Sequence, residues 1–239
     1  MLVGLYAVAL IAKRAEPRIN LGTLVLAAMF ADIAWCVFMI LGLEQVQFKS
    51  GVGAGKYFYA TNIALSHSLL MDAVWATLLA LAYLLRRRYP RGGLMIFLVV
   101  LSHWLLDFVS WRPDLPIAPG MHRYVGLGLW NSIPATLLVE GGFWLFAVIL
   151  YVRCTRSKGL TATFVFWVGI GLITFVWFSN IAGPPPQNPK TAPFASLIVF
   201  SLTLAWAYWV YPCCRIGNCG SLVLLGNRGD EWANGRRAG

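Results

Sequence analysis

Six stretches of this 239-residue chain are each long and apolar enough to cross a lipid bilayer, and nothing else in the sequence constrains its fold as much. A spanning helix needs about 20 mostly apolar residues. Residues 19–43, 62–85, 94–111, 124–151, 161–181 and 191–212 meet that need. A seventh apolar run, residues 1–12, is about half long enough. It is expected as an interfacial or re-entrant helix rather than a signal peptide, because Lys13 and Arg14 follow the apolar run instead of preceding it. The expected fold is an all-α, polytopic transmembrane helix bundle of six full spans plus a short N-terminal apolar helix. Only 12% of residues are charged and 59% are apolar, too few polar side chains to clothe a water-facing globule, so a soluble enzyme is excluded. No hydrophilic block is long enough for a second folded unit. Residues 1–212 form the membrane domain, and residues 213–239 are expected to be a disordered cytoplasmic tail.

The net charge of +10 would suggest nucleic acid in a soluble chain, but its distribution gives it another meaning. Fourteen of the 19 basic residues fall in one alternating set of connections: Lys13, Arg14, Arg18, Arg86, Arg87, Arg88, Arg91, Arg153, Arg156, Lys158, Arg215, Arg228, Arg236 and Arg237. The opposite set holds five, Lys49, Lys56, Arg112, Arg123 and Lys190. Cytoplasmic loops accumulate Lys and Arg, so this bias predicts a multi-pass plasma (inner) membrane protein with its C-terminus in the cytoplasm. The charge is topological, the lipid bilayer is the expected surrounding, and no nucleic acid is expected as a partner. Cys154, Cys213, Cys214 and Cys219 fall on the inner side, where thiols stay reduced, and without a nearby His they make a poor zinc signature.

Ionisable side chains inside a bilayer cost at least about 2.5 to 3.5 kcal/mol each, so each needs a reason. The spans carry Asp32, His67, Asp72, His103, Asp107 and Glu140. His103 and Asp107 are four apart and share one helix face. Asp32 lies mid-span, and His67, His103 and Asp107 lie towards the outer leaflet. His and carboxylate are ligand types that suit zinc, manganese or iron, and helices each offering one or two could close a site in the bundle core. The alternative is plain pairing, with Asp107 accepting from His103 and Asp32 paired to another helix. Asp72 is five residues from His67, which turns it about 140° round a continuous helix and away from the cluster. Glu140, beside Gly141 and Gly142, is either a helix-packing point or a distal member of the site. Ser66, Ser68 and Ser102 are expected to bond their own helix carbonyls. Trp111 is expected in an interfacial aromatic belt.

These residues sit in strings that resemble a family. VGLYAVALIAKRAEPR near the start, LGTLVLAAMFADIAW around Asp32, SHSLLM at residues 66–71, LSHWLLDFVSWRPDLP at residues 101–116 and GLGLWNS at residues 126–132 occur in order. They are similar to small bacterial multi-span proteins of the YdjM-like, LexA-regulated inner-membrane type, regarded as metal-dependent hydrolases. The resemblance implies that Asp32, His67, His103 and Asp107 are the polar site positions, with Asp114 and Asn131 in outer-side motifs. It departs at Leu5, where relatives tend to carry His, and at Trp111, where they often carry His before Arg-Pro-Asp.

Three functions follow as expectations. The first is a metal-dependent hydrolase of a lipid-like ester or phosphoester. In it His67, His103 and Asp107 hold a divalent metal, zinc foremost, and Asp32 serves as ligand or as catalytic base. The second is a permease or proton-coupled transporter using Asp32, Asp107 and Glu140 as relay groups. The third is a structural membrane protein whose polar residues only link helices.

Overall fold

A computed structural model describes residues 2–48, 58–157, 159–183 and 190–216. The molecule is a helical bundle: α1 (Leu2–Ala15), α2 (Leu21–Ala28), α3 (Phe30–Ile40), α4 (Ala64–His67), α5 (Leu69–Arg87), α6 (Pro90–Ser110), α7 (Ile133–Cys154), α8 (Leu160–Ala182) and α9 (Ala192–Cys213). Among the described residues, three two-stranded antiparallel ribbons tie connections together. They pair β1 (Gln45–Phe48) with β2 (Phe58–Asn62), β3 (Leu115–Pro116) with β4 (Tyr124–Val125), and β5 (Thr155–Ser157) with β6 (Cys214–Ile216). The tail expected over residues 213–239 therefore begins as the end of α9 and a strand paired to β5, and its remainder lies outside the described residues. Cys154 is disulfide-bonded, a state that differs from the reduced inner-side thiols expected of the cysteines.

Among the described residues, five helices are long and apolar enough to cross a membrane, and α2 with α3 forms a sixth span broken by a 54° bend. This is an integral membrane architecture. Large apolar side chains point outward from the long helices, among them Leu78, Leu138, Phe164, Phe175 and Leu202, as a lipid-facing surface requires. The interior is different. Helix α1, with Val3, Leu5, Ala7, Ala9 and Leu10 buried, packs against α2, α6, α7 and α8, so the short apolar run is a central strut and not an interfacial helix.

Two of the expected spans are broken. Residues 19–43 bend at Met29, between α2 and α3. Neither Pro nor Gly stands at the bend. The carbonyl of Ala28, at the break, is engaged by Nδ1 of His103 at 2.8 Å, a side chain inserted at the backbone ladder. Residues 62–85 break at Ser68, which is extended (φ −85°, ψ 148°) and caps α5 by accepting from the Met71 N–H at 3.3 Å. Helices α5 and α6 form an antiparallel hairpin, turned through Arg88 in the left-handed region and restarted by Pro90 in the first turn of α6.

The expected span 124–151 also starts late. Residues 124–132 are a loop that folds back over the end of α6: Leu127 N–H donates to Phe108 O at 2.8 Å and Gly128 N–H to Trp111 O at 2.6 Å. These bonds satisfy carbonyls that a helix end leaves open. Gly126 is required there, since its φ is +154° and a Cβ would fall 2.2 Å from the Arg112 carbonyl oxygen.

Candidate metal centre

Four side chains from three parts of the fold meet in the core. Asp32 comes from the first turn of α3, directly after the bend. His67 is the last residue of the short α4, and His103 and Asp107 lie one turn apart on α6. His67 Nε2 lies 3.4 Å from Asp32 Oδ1 and 3.8 Å from Asp107 Oδ2. His103 Nε2 lies 3.8 Å from the same Asp32 oxygen and 3.4 Å from the same Asp107 oxygen. Two nitrogens and two oxygens thus alternate round a small ring. The ligand atoms of Asp32, His67 and His103 all lie within 4.8 Å of one another.

These separations are longer than the ~2.7–2.9 Å of a direct charge-assisted N–H···O contact. They are close to the edge of a metal tetrahedron, since ligands about 2.0–2.2 Å from a common centre stand about 3.3–3.6 Å apart. The 3.4 Å contacts His103–Asp107 and His67–Asp32 are also at ion-pair range, so the plain-pairing alternative shares this geometry.

The second ring nitrogen of each histidine is engaged. His103 Nδ1 faces the Ala28 carbonyl, which can only accept, so Nδ1 carries the proton. His67 Nδ1 lies 2.7 Å from Ser66 Oγ. That hydroxyl donates its single proton to Glu44 Oε2 at 2.6 Å, so it accepts from the His67 Nδ1–H. Glu44 is fixed in turn, its Oε1 accepting from the Leu65 and Ser66 N–H groups at 2.9 and 2.8 Å. Both imidazoles therefore turn Nε2 towards the two carboxylates, and each is oriented through Nδ1 by an outer partner, as metal-bound histidines usually are.

Ser66 departs from the expectation of a bond to its own helix, because Glu44 and His67 compete for its oxygen at shorter range than the Ile63 carbonyl at 3.5 Å. Ser68 and Ser102 bond the Ala64 and Val99 carbonyls as expected. Glu44 was not foreseen. It lies just beyond an apolar run, where an acidic residue reads as a solvated loop residue, yet it is 1% exposed.

Trp111 lies in the site and not in an interfacial belt. It is buried, and its ring stacks on His67 with centroids 5.7 Å apart and planes 26° apart. Trp111 packs on Trp130, whose Nε1–H donates to Glu140 Oε1 at 2.7 Å. Trp177 donates to Glu140 Oε2 at 2.9 Å. Glu140 is thus a buried carboxylate satisfied by two indoles, bracing the wall behind His67 and contributing no atom to the ring of ligands.

Asp72 follows the break at Ser68 and so does not continue the helix that carries His67. The 140° rotation presumed an unbroken helix; α5 starts afresh at Leu69. Asp72 is 1% exposed in the first turn of α5. Asp114 and Asn131 lie further out. Arg112 Nε donates to Asn131 Oδ1 at 3.0 Å, and Asp114 helps line a cleft with Asn62, Ile63, Ala64, Pro116, His122 and Tyr124. The cleft reaches the start of α4, one turn from His67, whose N–H donates to Ile63 O. Leu5 is buried within α1, and its neighbour Tyr6 donates to Thr203 Oγ1 at 2.8 Å. No family model, curated protein or solved structure matches this chain, so the site's chemistry is argued from its own residues.

Proposed function

We propose that this is a membrane-embedded metal-dependent hydrolase acting on a lipid-like ester or phosphoester, with His67, His103, Asp32 and Asp107 holding one divalent metal, zinc foremost. The observation that carries the reading is the alternating ring of two imidazole nitrogens and two carboxylate oxygens at 3.4 and 3.8 Å, with both imidazoles oriented through Nδ1. Such a metal acidifies water and polarises a carbonyl or phosphoryl oxygen. The chain's own residues supply the rest. Ala28 O and the Ser66–Glu44 pair hold the imidazoles in register, and the stacked Trp111 shields one face of His67 from water. Asp32, at 22% the most exposed of the four, marks the side from which substrate and water arrive. The membrane setting and the cleft at the Asp114–His122 connection suit a substrate with an apolar body and a polar head. By the positive-inside bias that connection faces the outer compartment, and the resemblance to the YdjM-like hydrolases accords with this chemistry.

The test is elemental analysis of the chain purified in detergent after loading with Zn2+ and dialysis. At least one ion per chain is expected, lost in His67→Ala and His103→Ala, together with chelator-sensitive cleavage of chromogenic acyl and phosphoryl esters presented in micelles. A wild-type chain that retains no metal overturns the proposal.

A further inference from the structure

Helices α7 and α8 follow one another in the chain, yet α7 packs chiefly on α1 and α8 chiefly on α9. Side chains join the two: Trp144 Nε1–H donates to Thr174 Oγ1 at 3.0 Å, and Tyr151 stacks on Phe166 with centroids 5.4 Å apart. Between them lies a groove of about 430 Å³, lined from α7 by Trp144, Val148, Val152 and Arg153 and from α8 by Trp167 and Ile170. Its buried lining has no open polar group. The Trp144 N–H is taken up by Thr174, whose hydroxyl donates in turn to Ile170 O at 2.7 Å. Leu145, Ile149 and Trp167, which also line it, are exposed on the lipid-facing surface. An apolar furrow open to hydrocarbon suits an acyl chain.

One end of the groove is charged. Arg153 stands in the last turn of α7, and among the described residues no carboxylate pairs with it. The sequence explains why: no Asp or Glu occurs between Glu140 and Asp230, while Arg156 and Lys158 closely follow Arg153. An arginine at a helix end lays its apolar stem on the hydrocarbon and holds its guanidinium at headgroup level, where its planar fork matches a phosphate. Basic pockets between membrane helices at the cytoplasmic side bind anionic headgroups, and the distribution of Lys and Arg predicts that this end faces the cytoplasm.

We infer that the α7–α8 groove is a binding site for one phospholipid with an anionic headgroup, its acyl chain along Trp144, Val148 and Ile170 and its phosphate on Arg153. The site is separate from the cluster of Asp32, His67, His103 and Asp107, which stands on α3, α4 and α6, and does not depend on what that cluster holds.

The experiment incubates the full chain, purified in detergent, with equal amounts of phosphatidylglycerol and phosphatidylcholine, removes free lipid by gel filtration and counts the retained lipid by mass spectrometry. The wild type is expected to retain phosphatidylglycerol in preference to phosphatidylcholine. Arg153→Gln is expected to lower that preference about fivefold, the effect of one basic residue on an anionic lipid. Ile149→Trp, which fills the groove and leaves the arginine in place, should lower retention of both lipids, and Arg87→Gln in the α5–α6 turn should change neither. A wild type that retains the two lipids equally, or retains none, overturns the inference. So does an unaltered preference in Arg153→Gln, unaltered retention in Ile149→Trp, or an equal loss in Arg87→Gln. A lipid-free dimer overturns it too, since a second copy of the chain would then cover the groove. The wild-type result alone can refute the idea, so a misfolded variant does not protect it.

Discussion

The residues that orient the histidines are as informative as the histidines themselves. Ser66 and Glu44 form a short relay that fixes the His67 tautomer without touching the centre. Ser66→Ala and Glu44→Gln are therefore expected to weaken zinc affinity about 10- to 100-fold while leaving one ion bound at saturation, as loss of an outer partner typically does; competition with a chromogenic chelator measures it. Glu140 makes a different prediction. Glu140→Ala leaves the indoles of Trp130 and Trp177 without acceptors in a buried setting, at about 1–3 kcal/mol for each unsatisfied group. Thermal unfolding in detergent should register this as a clear loss of stability. The sequence singled out Asp32, His67, His103 and Asp107 because charge is rare in apolar spans, and that scarcity is visible in one dimension. It could not single out Glu44, which looks like a loop residue until the chain folds back over it.

At the scale of elements, the breaks matter more than the helices. The apolar runs foretell where helices lie, but not that Met29 and Ser68 interrupt two of them, because no proline or glycine stands at either break. What stands at those points is tertiary: His103 on the Ala28 carbonyl at one, and at the other a serine cap that starts a new helix with Asp72 in its first turn. Packing between the later helices gives a direct test. A Cβ at Gly169 of α8 would fall 2.1 Å from the indole of Trp206 on α9, whose Nε1–H donates to Val165 O at 2.9 Å. Gly169→Ala should displace that ring and destabilise the α8–α9 contact by about 1–3 kcal/mol, as overpacking does. The midpoint of thermal unfolding reads this, and metal content should be unchanged because the site lies on other helices.

For the whole molecule, the distribution of basic residues predicts an orientation that labelling can test. If the Arg86–Arg91 turn faces the cytoplasm, Arg87→Cys in intact cells should resist a membrane-impermeant maleimide while His122→Cys reacts. The reverse labelling pattern refutes the orientation, and with it the outward-facing cleft. The described bundle places that turn and the Asp114–His122 connection at opposite ends of α6, so one pair of substitutions reports both sides.

What the sequence determined by itself is the class of molecule and its short list of suspects. Hydrocarbon demands long apolar helices and penalises every charge within them, so both the spans and the exceptions are written in composition along the chain. Only the tertiary structure decided which exceptions belong together. It gathered Asp32, His67, His103 and Asp107 into one ring, assigned Glu140 to a tryptophan clasp and moved Trp111 from an aromatic belt to the face of His67. Those outcomes depend on helix breaks and on contacts between residues as far apart as 75 positions, which no local pattern encodes.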